Sequence, residues 1–209
     1  NSLTAGYMDG TVSKGSQANS YPNLLAQQFA LVGGGAFTQP SYADDTFNRG
    51  GLMLGGLPIS AKRLVINASL KVDGSGNPVY DANKNRVANG VQPFETTLAT
   101  SSTIEVSNLQ AKAFNNMGVP GAKSFHLLST LGYGNVANVA SGTANPYFVR
   151  HATSPTASVL GDAMSKVPTF FTNWIGSNDV LAYATNGGAA SNGTSAAADH
   201  NLTGNTDVT

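Results

Sequence analysis

Thr169-Phe170-Phe171-Thr172-Asn173-Trp174-Ile175 runs directly into Gly176-Ser177-Asn178-Asp179. The first part is rich in aromatic and β-branched residues, the composition of a strand with buried faces. Gly176 ends the run, so the strand delivers Ser177, Asn178 and Asp179 to its carboxyl end. In open α/β sheets, ligands bind at such ends. Upstream, residues 158–166 follow Ser154-Pro155 and carry helical spacing, so a helix precedes this strand. A helix feeding a strand that ends on a polar loop predicts an α/β fold.

The amino-terminal part repeats this pattern. Ser20-Tyr21-Pro22 reads as a helix start, with Ser20 as cap and Pro22 in the first turn. Leu24, Leu25, Phe29 and Val32 continue at helical spacing, and Gly33-Gly34-Gly35 ends the helix. In an α/β fold this is a crossover helix packed on a sheet. Residues 36–102 break the pattern and far exceed an ordinary connection of about 4–6 residues. They read as an insertion holding a β-hairpin flap. Its strands fall at Leu64-Val65-Ile66 and Leu70-Lys71-Val72, its turn at Asp73-Gly74-Ser75-Gly76-Asn77, and its return strand begins at Val79-Tyr80. Order resumes near Thr103. Residues 112–116 read as a short strand, 122–130 as a helix, and 131–145 as a Gly-, Asn- and Ala-rich loop. Residues 186–209 are Gly, Ala, Ser, Asn and Thr with little else.

The chain has 209 residues, enough for one sizeable domain, and 41% of them are apolar, enough for a core. Charged side chains make up only 11% and balance at 11 basic against 11 acidic, where about 25% charged is usual. A nucleic-acid partner has no basic footprint to bind. Polar surface must therefore come from Asn, Ser, Thr and Gly, a style associated with secreted or surface proteins. Cysteine is absent, which excludes disulfides, thiolate catalysis and Cys-ligated metal centres. No apolar stretch reaches the roughly 18 residues that span a bilayer as a helix.

Three blocks carry chemistry. Asn1-Ser2-Leu3-Thr4-Ala5-Gly6-Tyr7 places a serine among small residues. Asn116-Met117-Gly118-Val119-Pro120-Gly121 is a glycine-bearing loop after a strand, and Gly176-Ser177-Asn178-Asp179 is the loop described above. In this order the three blocks resemble those of the SGNH (GDSL-type) hydrolase family. The resemblance runs from Asn1 to about Asp179. It implies a three-layer α/β/α sandwich with a mostly parallel sheet, forming a single domain over 1–209 with the insertion at 36–102. It also implies a serine esterase, lipase or acylhydrolase that works without metal or cofactor on a small-molecule, lipid or glycan ester. Ser2 would be the nucleophile. The oxyanion donors would be the Ser2 N–H, the Gly121 N–H and the Asn178 side-chain amide. Tyr21-Pro22-Asn23-Leu24-Leu25-Ala26 and Gly118-Val119-Pro120-Gly121-Ala122 resemble surface lipoprotein members from Bacteroidetes-type bacteria. That implies an outer-membrane or cell-surface location and an outer-membrane protein as partner.

The chemistry explains these residue types. A serine hydroxyl attacks an acyl carbon only when a base takes its proton. Pre-placed N–H donors stabilise the oxyanion that forms. A glycine at 121 lets backbone approach substrate, and an amide at 178 donates where an ionised Asp could not. Structural roles stay open for all three: Ser2 as a cap or turn serine, Gly121 as a Pro-Gly turn, Asn178 as a cap of the following helix.

The chain also departs from the family. Asn1 stands where the family has Asp, and the late Asp-x-x-His block is missing. His126 reads as a packing or surface residue on a helix, His151 as a loop residue, and His200 as adjacent to Asp199 and so poorly placed for a dyad. The base is therefore expected beyond Thr209, and the domain is expected to be incomplete at both ends. Asp81-Ala82-Asn83-Lys84-Asn85 alternates oxygen ligands but lacks the glycine and terminal acid of a calcium loop, so it reads as a turn. Asn67, Asn192 and Asn201 head acceptor triplets for N-glycosylation, as chance provides in such a composition. The rival functions are a non-catalytic binding module, or an accessory subunit of a bacterial surface complex, on the same scaffold.

Overall fold

Asn1, Ser13, Asn145 and Ser158 cap helices of this weakly charged chain with their side chains. The computed structural model describes residues 1–63, 71, 73–85, 87 and 102–185. Asn1 Oδ1 accepts the Leu3 N–H at the head of α1 (Ser2–Ala5). Ser13 and Ser16 form a capping box on α2 (Lys14–Ala18). α3 (Tyr21–Ala30) carries Pro22 in its first turn, as its sequence predicts. Ser20 precedes it, but its Oγ donates to Gln39 Oε1 at 3.0 Å rather than capping the helix. Gly34 N–H closes on Phe29 O at 2.8 Å and ends the helix.

β1 (Met53–Leu54) and β2 (Leu57–Pro58) form an antiparallel hairpin, the one sheet among the described residues. Met53 also pairs in parallel with Glu105, through Met53 N–H to Ile104 O and Val106 N–H to Met53 O, both at 2.8 Å. The sequence does not predict this hairpin; at the predicted one, Asp73 N–H donates to Asn77 O at 2.9 Å and Val79 N–H to Lys71 O at 3.1 Å. Of the expected flap, residues 64–70 and 72 lie outside the described residues. The Asp73 turn forms as expected, with Asp73 Oδ1 accepting from Ser75 and Asn77 N–H. Asp81 repeats it, with Oδ1 accepting from Asn83 and Asn85 N–H at 2.9 and 2.8 Å. That carboxylate folds inward on its own backbone and closes the turn.

Asn145 caps α4 (Pro146–Val149), and Ser158 caps α5 (Val159–Ser165). α5 occupies the stretch expected to be helical. α4 occupies residues read as a loop. A short 3-10 helix, Ser124–Leu127, replaces the longer helix expected over 122–130. Side chains satisfy its first N–H groups: His126 Nδ1 accepts the Lys123 N–H, and Asp179 accepts the Ser124 N–H. α6 (Ser177–Thr185) follows the 169–175 run.

The two runs read as strands, 112–116 and 169–175, enter no ladder among the described residues. The first is held by backbone bonds from Lys112 to His151 O and from Asn115 and Asn116 to Thr38 O. The second lies along α3, with Phe170 edge-on to Phe29 at 5.3 Å and Trp174 tilted against Tyr21 at 5.6 Å. α3 therefore packs on this run, and none of its residues is buried.

Two apolar clusters meet at α4. Val149 joins Ala5, Val12, Tyr42, Leu52, Ile104 and Val106 on one side. Phe148 joins Val119, Ala122, Tyr133 and Val159 on the other. Tyr42 and Leu52 come from the inserted stretch, where a flap outside the core was expected. Asp45, also from that stretch and 1% exposed, accepts the Lys14, Arg49 and Gly50 N–H groups. Asp44 pairs with Arg150 at 2.7 Å, and the guanidinium lies 5.0 Å from the Tyr42 ring. The first part of the insertion is core, because its scattered apolar residues find partners far away in sequence.

Candidate active site

Ser2 occupies the first turn of α1, where backbone N–H groups have no intrahelical acceptor. Its side chain is half-buried at the surface. The Gly121 N–H donates to Ser2 Oγ at 3.4 Å. Asn1 Nδ2, beside Ser2, donates to Ser177 Oγ at 2.6 Å. Asn178 Nδ2 donates to Ala122 O at 2.8 Å. The three sequence blocks thus meet at one place.

The geometry differs from expectation in one respect. Asn178 reaches the carbonyl beside Gly121 rather than Ser2 Oγ. That carbonyl requires a donor, and one amide hydrogen supplies it. The second Nδ2 hydrogen makes no bond among the described residues. Asn178 is therefore a brace of the loop.

The loop over 116–122 is held from several sides. Asn116 is 2% exposed. Its Nδ2 donates to Thr4 O and to Gln39 Oε1, both at 2.8 Å, and its Oδ1 accepts the Gly118 N–H at 3.0 Å. Asn145 Nδ2 donates to Pro120 O at 2.8 Å while its Oδ1 caps α4. Gly118 lies directly on α1: a Cβ there would sit 2.4 Å from Ala5 N and 2.6 Å from Thr4 C. Gly121 has φ +76° with open space where a Cβ would be, so its backbone conformation, not crowding, calls for glycine. Asp179, 3% exposed, accepts both the N–H and the Oγ–H of Ser124, the latter at 2.7 Å. That fixes the start of α6 against the loop.

Asn116 and Asp179 stand within the sequence blocks without a role of their own there, and Asn145 lies outside them. Asn145-Pro146 is a cap-plus-proline helix signal that was available. The partners of these side chains are tertiary and had no signal in the chain.

An open cleft of about 640 Å³ has Trp174, Ile175 and Val180 on its apolar wall and Ser124 and Ser177 among its polar groups. It adjoins the third block through Ser177, and Ser2, Gly121 and Asn178 do not line it. Two histidines are described. His126 stacks on Tyr133 at 4.4 Å and holds the Lys123 N–H. His151 is buried against Phe114 and Phe148, with Nδ1 unpartnered among the described residues. Burial, with Arg150 adding to it, pushes His151 down to about 3. An imidazole so weakly basic is no proton acceptor near neutral pH. His200 lies outside the described residues, as do Asn67, Asn192 and Asn201. Comparison of the chain with protein-family models, curated proteins and solved structures found no match.

Proposed function

We propose that the chain is a serine ester hydrolase of SGNH type, on a three-layer α/β/α scaffold, with Ser2 as nucleophile. The observation that carries this reading is the Gly121 N–H aimed at Ser2 Oγ at 3.4 Å. Catalytic hydrogen bonds are often long before substrate binds. In the reaction, Ser2 Oγ attacks the ester carbonyl and forms a tetrahedral oxyanion. The Gly121 N–H, the Ser2 N–H and the spare Asn178 amide hydrogen stabilise it. Collapse expels the alcohol and leaves an acyl-serine, which water then hydrolyses. The base that takes the Ser2 proton is proposed to lie outside residues 1–209. The apolar wall of Trp174, Ile175 and Val180 suits an acyl chain of a small-molecule, lipid or glycan ester. A bacterial surface location, with an outer-membrane protein as partner, belongs to the same proposal.

The test is Ser2→Ala in the full protein. Hydrolysis of a short-chain nitrophenyl ester should vanish, and so should covalent labelling by a fluorophosphonate, while thermal unfolding stays nearly unchanged. Activity retained in Ser2→Ala would remove Ser2 as nucleophile. A wild-type protein that neither hydrolyses nor labels would favour the binding-module reading.

A further inference from the structure

We infer that Asn116 is a positioning residue that sets the distance between Ser2 and the Gly121 N–H. This rests on the hydrolase reading for its consequence in rate, and on geometry alone for its structural part. α1 has four residues; Tyr7 and Gly6 N–H groups serve Ser2 O and Leu3 O, and Thr4 O lies at the helix end, where carbonyls lack intrahelical donors. Asn116 Nδ2 supplies one to Thr4 O, two residues from the nucleophile. The other end of the same amide, Oδ1, accepts the Gly118 N–H, three residues before Gly121. One planar group thus ties the nucleophile's helix to the oxyanion loop.

The amide orientation is dictated by its partners. Two oxygens, Thr4 O and Gln39 Oε1, face Nδ2, and one N–H faces Oδ1. Only a group with donors at one end and an acceptor at the other satisfies all three. Aspartate keeps the shape and the acceptor but sets an oxygen against two oxygens. Gln39 in turn receives the Ser20 Oγ–H, so the clamp is anchored at the start of α3. The clamp is also rigid: Asn116 is buried and Gly118 has no room to shift toward Ala5.

Asn116→Asp and Asn116→Ala, made in the full protein, test this. Both should lower kcat for a nitrophenyl ester about 10–100-fold with KM changed less than about threefold, because misplacement of about 1 Å has effects of that size. Fluorophosphonate labelling of Ser2 should slow by the same factor. All assays run at a temperature where each variant is fully folded. A lowered melting point with an unchanged kcat and labelling rate would overturn the inference, since that is what a merely structural residue would show. A second readout is independent of activity. In a crystal structure of either variant, the Gly121 N to Ser2 Oγ separation should grow by about 1 Å, and an unchanged separation would overturn the inference. If the wild type proves inactive, the hydrolase reading fails while this geometric test still decides the clamp.

Discussion

The Gly121 N–H donates to Ser2 Oγ at 3.4 Å across 119 positions of chain. Neither residue is placed by its own neighbours alone. Ser2 is placed by α1, whose start Asn1 caps and ties to Ser177. Gly121 is placed by a loop that Asn145 and Asn178 hold at the carbonyls on either side of it. Asparagine amides do the joining throughout. Among polar side chains, an amide serves a neutral donor and a neutral acceptor at once without burying a charge. In a chain only 11% charged, that is how polar side chains organise a surface site.

Gly118→Ala should weaken both stability and catalysis. The new Cβ would meet backbone atoms of Ala5 and Thr4 at 2.4 and 2.6 Å, so the loop must retreat from α1. Overpacking of this kind costs about 1–3 kcal/mol. The retreat also carries Gly121 away from Ser2. Chemical denaturation and nitrophenyl-ester kinetics measure the two effects. A variant with wild-type kcat would show that the loop and α1 are not coupled.

Asn178→Asp tests the brace on Ala122 O and the proposed oxyanion role of the same amide through two readouts. The variant places a carboxylate oxygen against Ala122 O and leaves that carbonyl without its donor. An unmet buried acceptor costs about 1–3 kcal/mol. Loss of one oxyanion donor lowers kcat about 10²–10³-fold. A loss of stability with kcat unchanged would make Asn178 a brace and nothing more.

The parts of the fold legible from sequence were those set by local chemistry. α3 follows from Ser20-Tyr21-Pro22, α5 from Ser158, and the Asp73 turn from Asp-Gly-Ser-Gly-Asn. The site blocks were legible as residue types in order. What pairs with what was not. Tyr42 and Leu52 sit in a stretch with no periodic pattern, so nothing local marks them as core, yet they pack on Ile104 and Val149. The helix expected over 122–130 shrinks to Ser124–Leu127, and its start is held by Asp179, 55 positions from Ser124.

Leu52→Ala should destabilise the protein by about 2–5 kcal/mol, as large-to-small changes in a packed core do. Leu52 is fully buried. Asp81→Ala should leave the unfolding midpoint unchanged, because Asp81 lies on an exposed turn. The pair divides the inserted stretch into a core part and a peripheral part. Equal effects at the two positions in urea unfolding would refute that division.

Stability should fall as pH drops from about 6.5 to 4.5, and His151 should cause it. Burial holds the folded imidazole at about 3, against an ordinary value of 6.5. Between those values the unfolded chain binds a proton that the folded protein refuses. Stability therefore rises with pH and is lost on acidification, with a slope approaching about 1.4 kcal/mol per pH unit below 6.5. Only the lower end of the window reaches the range of carboxylates. There Asp73 and Asp81, held below their ordinary values by backbone hydrogen bonds, add to the fall, as does Glu105, whose burial is outweighed by its hydrogen bonds. His151→Phe keeps an aromatic ring between Phe114 and Phe148, which now meet the imidazole edge-on at 5.9 and 5.3 Å. It also removes the unpartnered Nδ1. Urea midpoints of the variant should be nearly flat from about pH 6.5 to 5.5, above the carboxylate range, where those of the wild type decline. The same slope in both proteins would assign the acid sensitivity to another group.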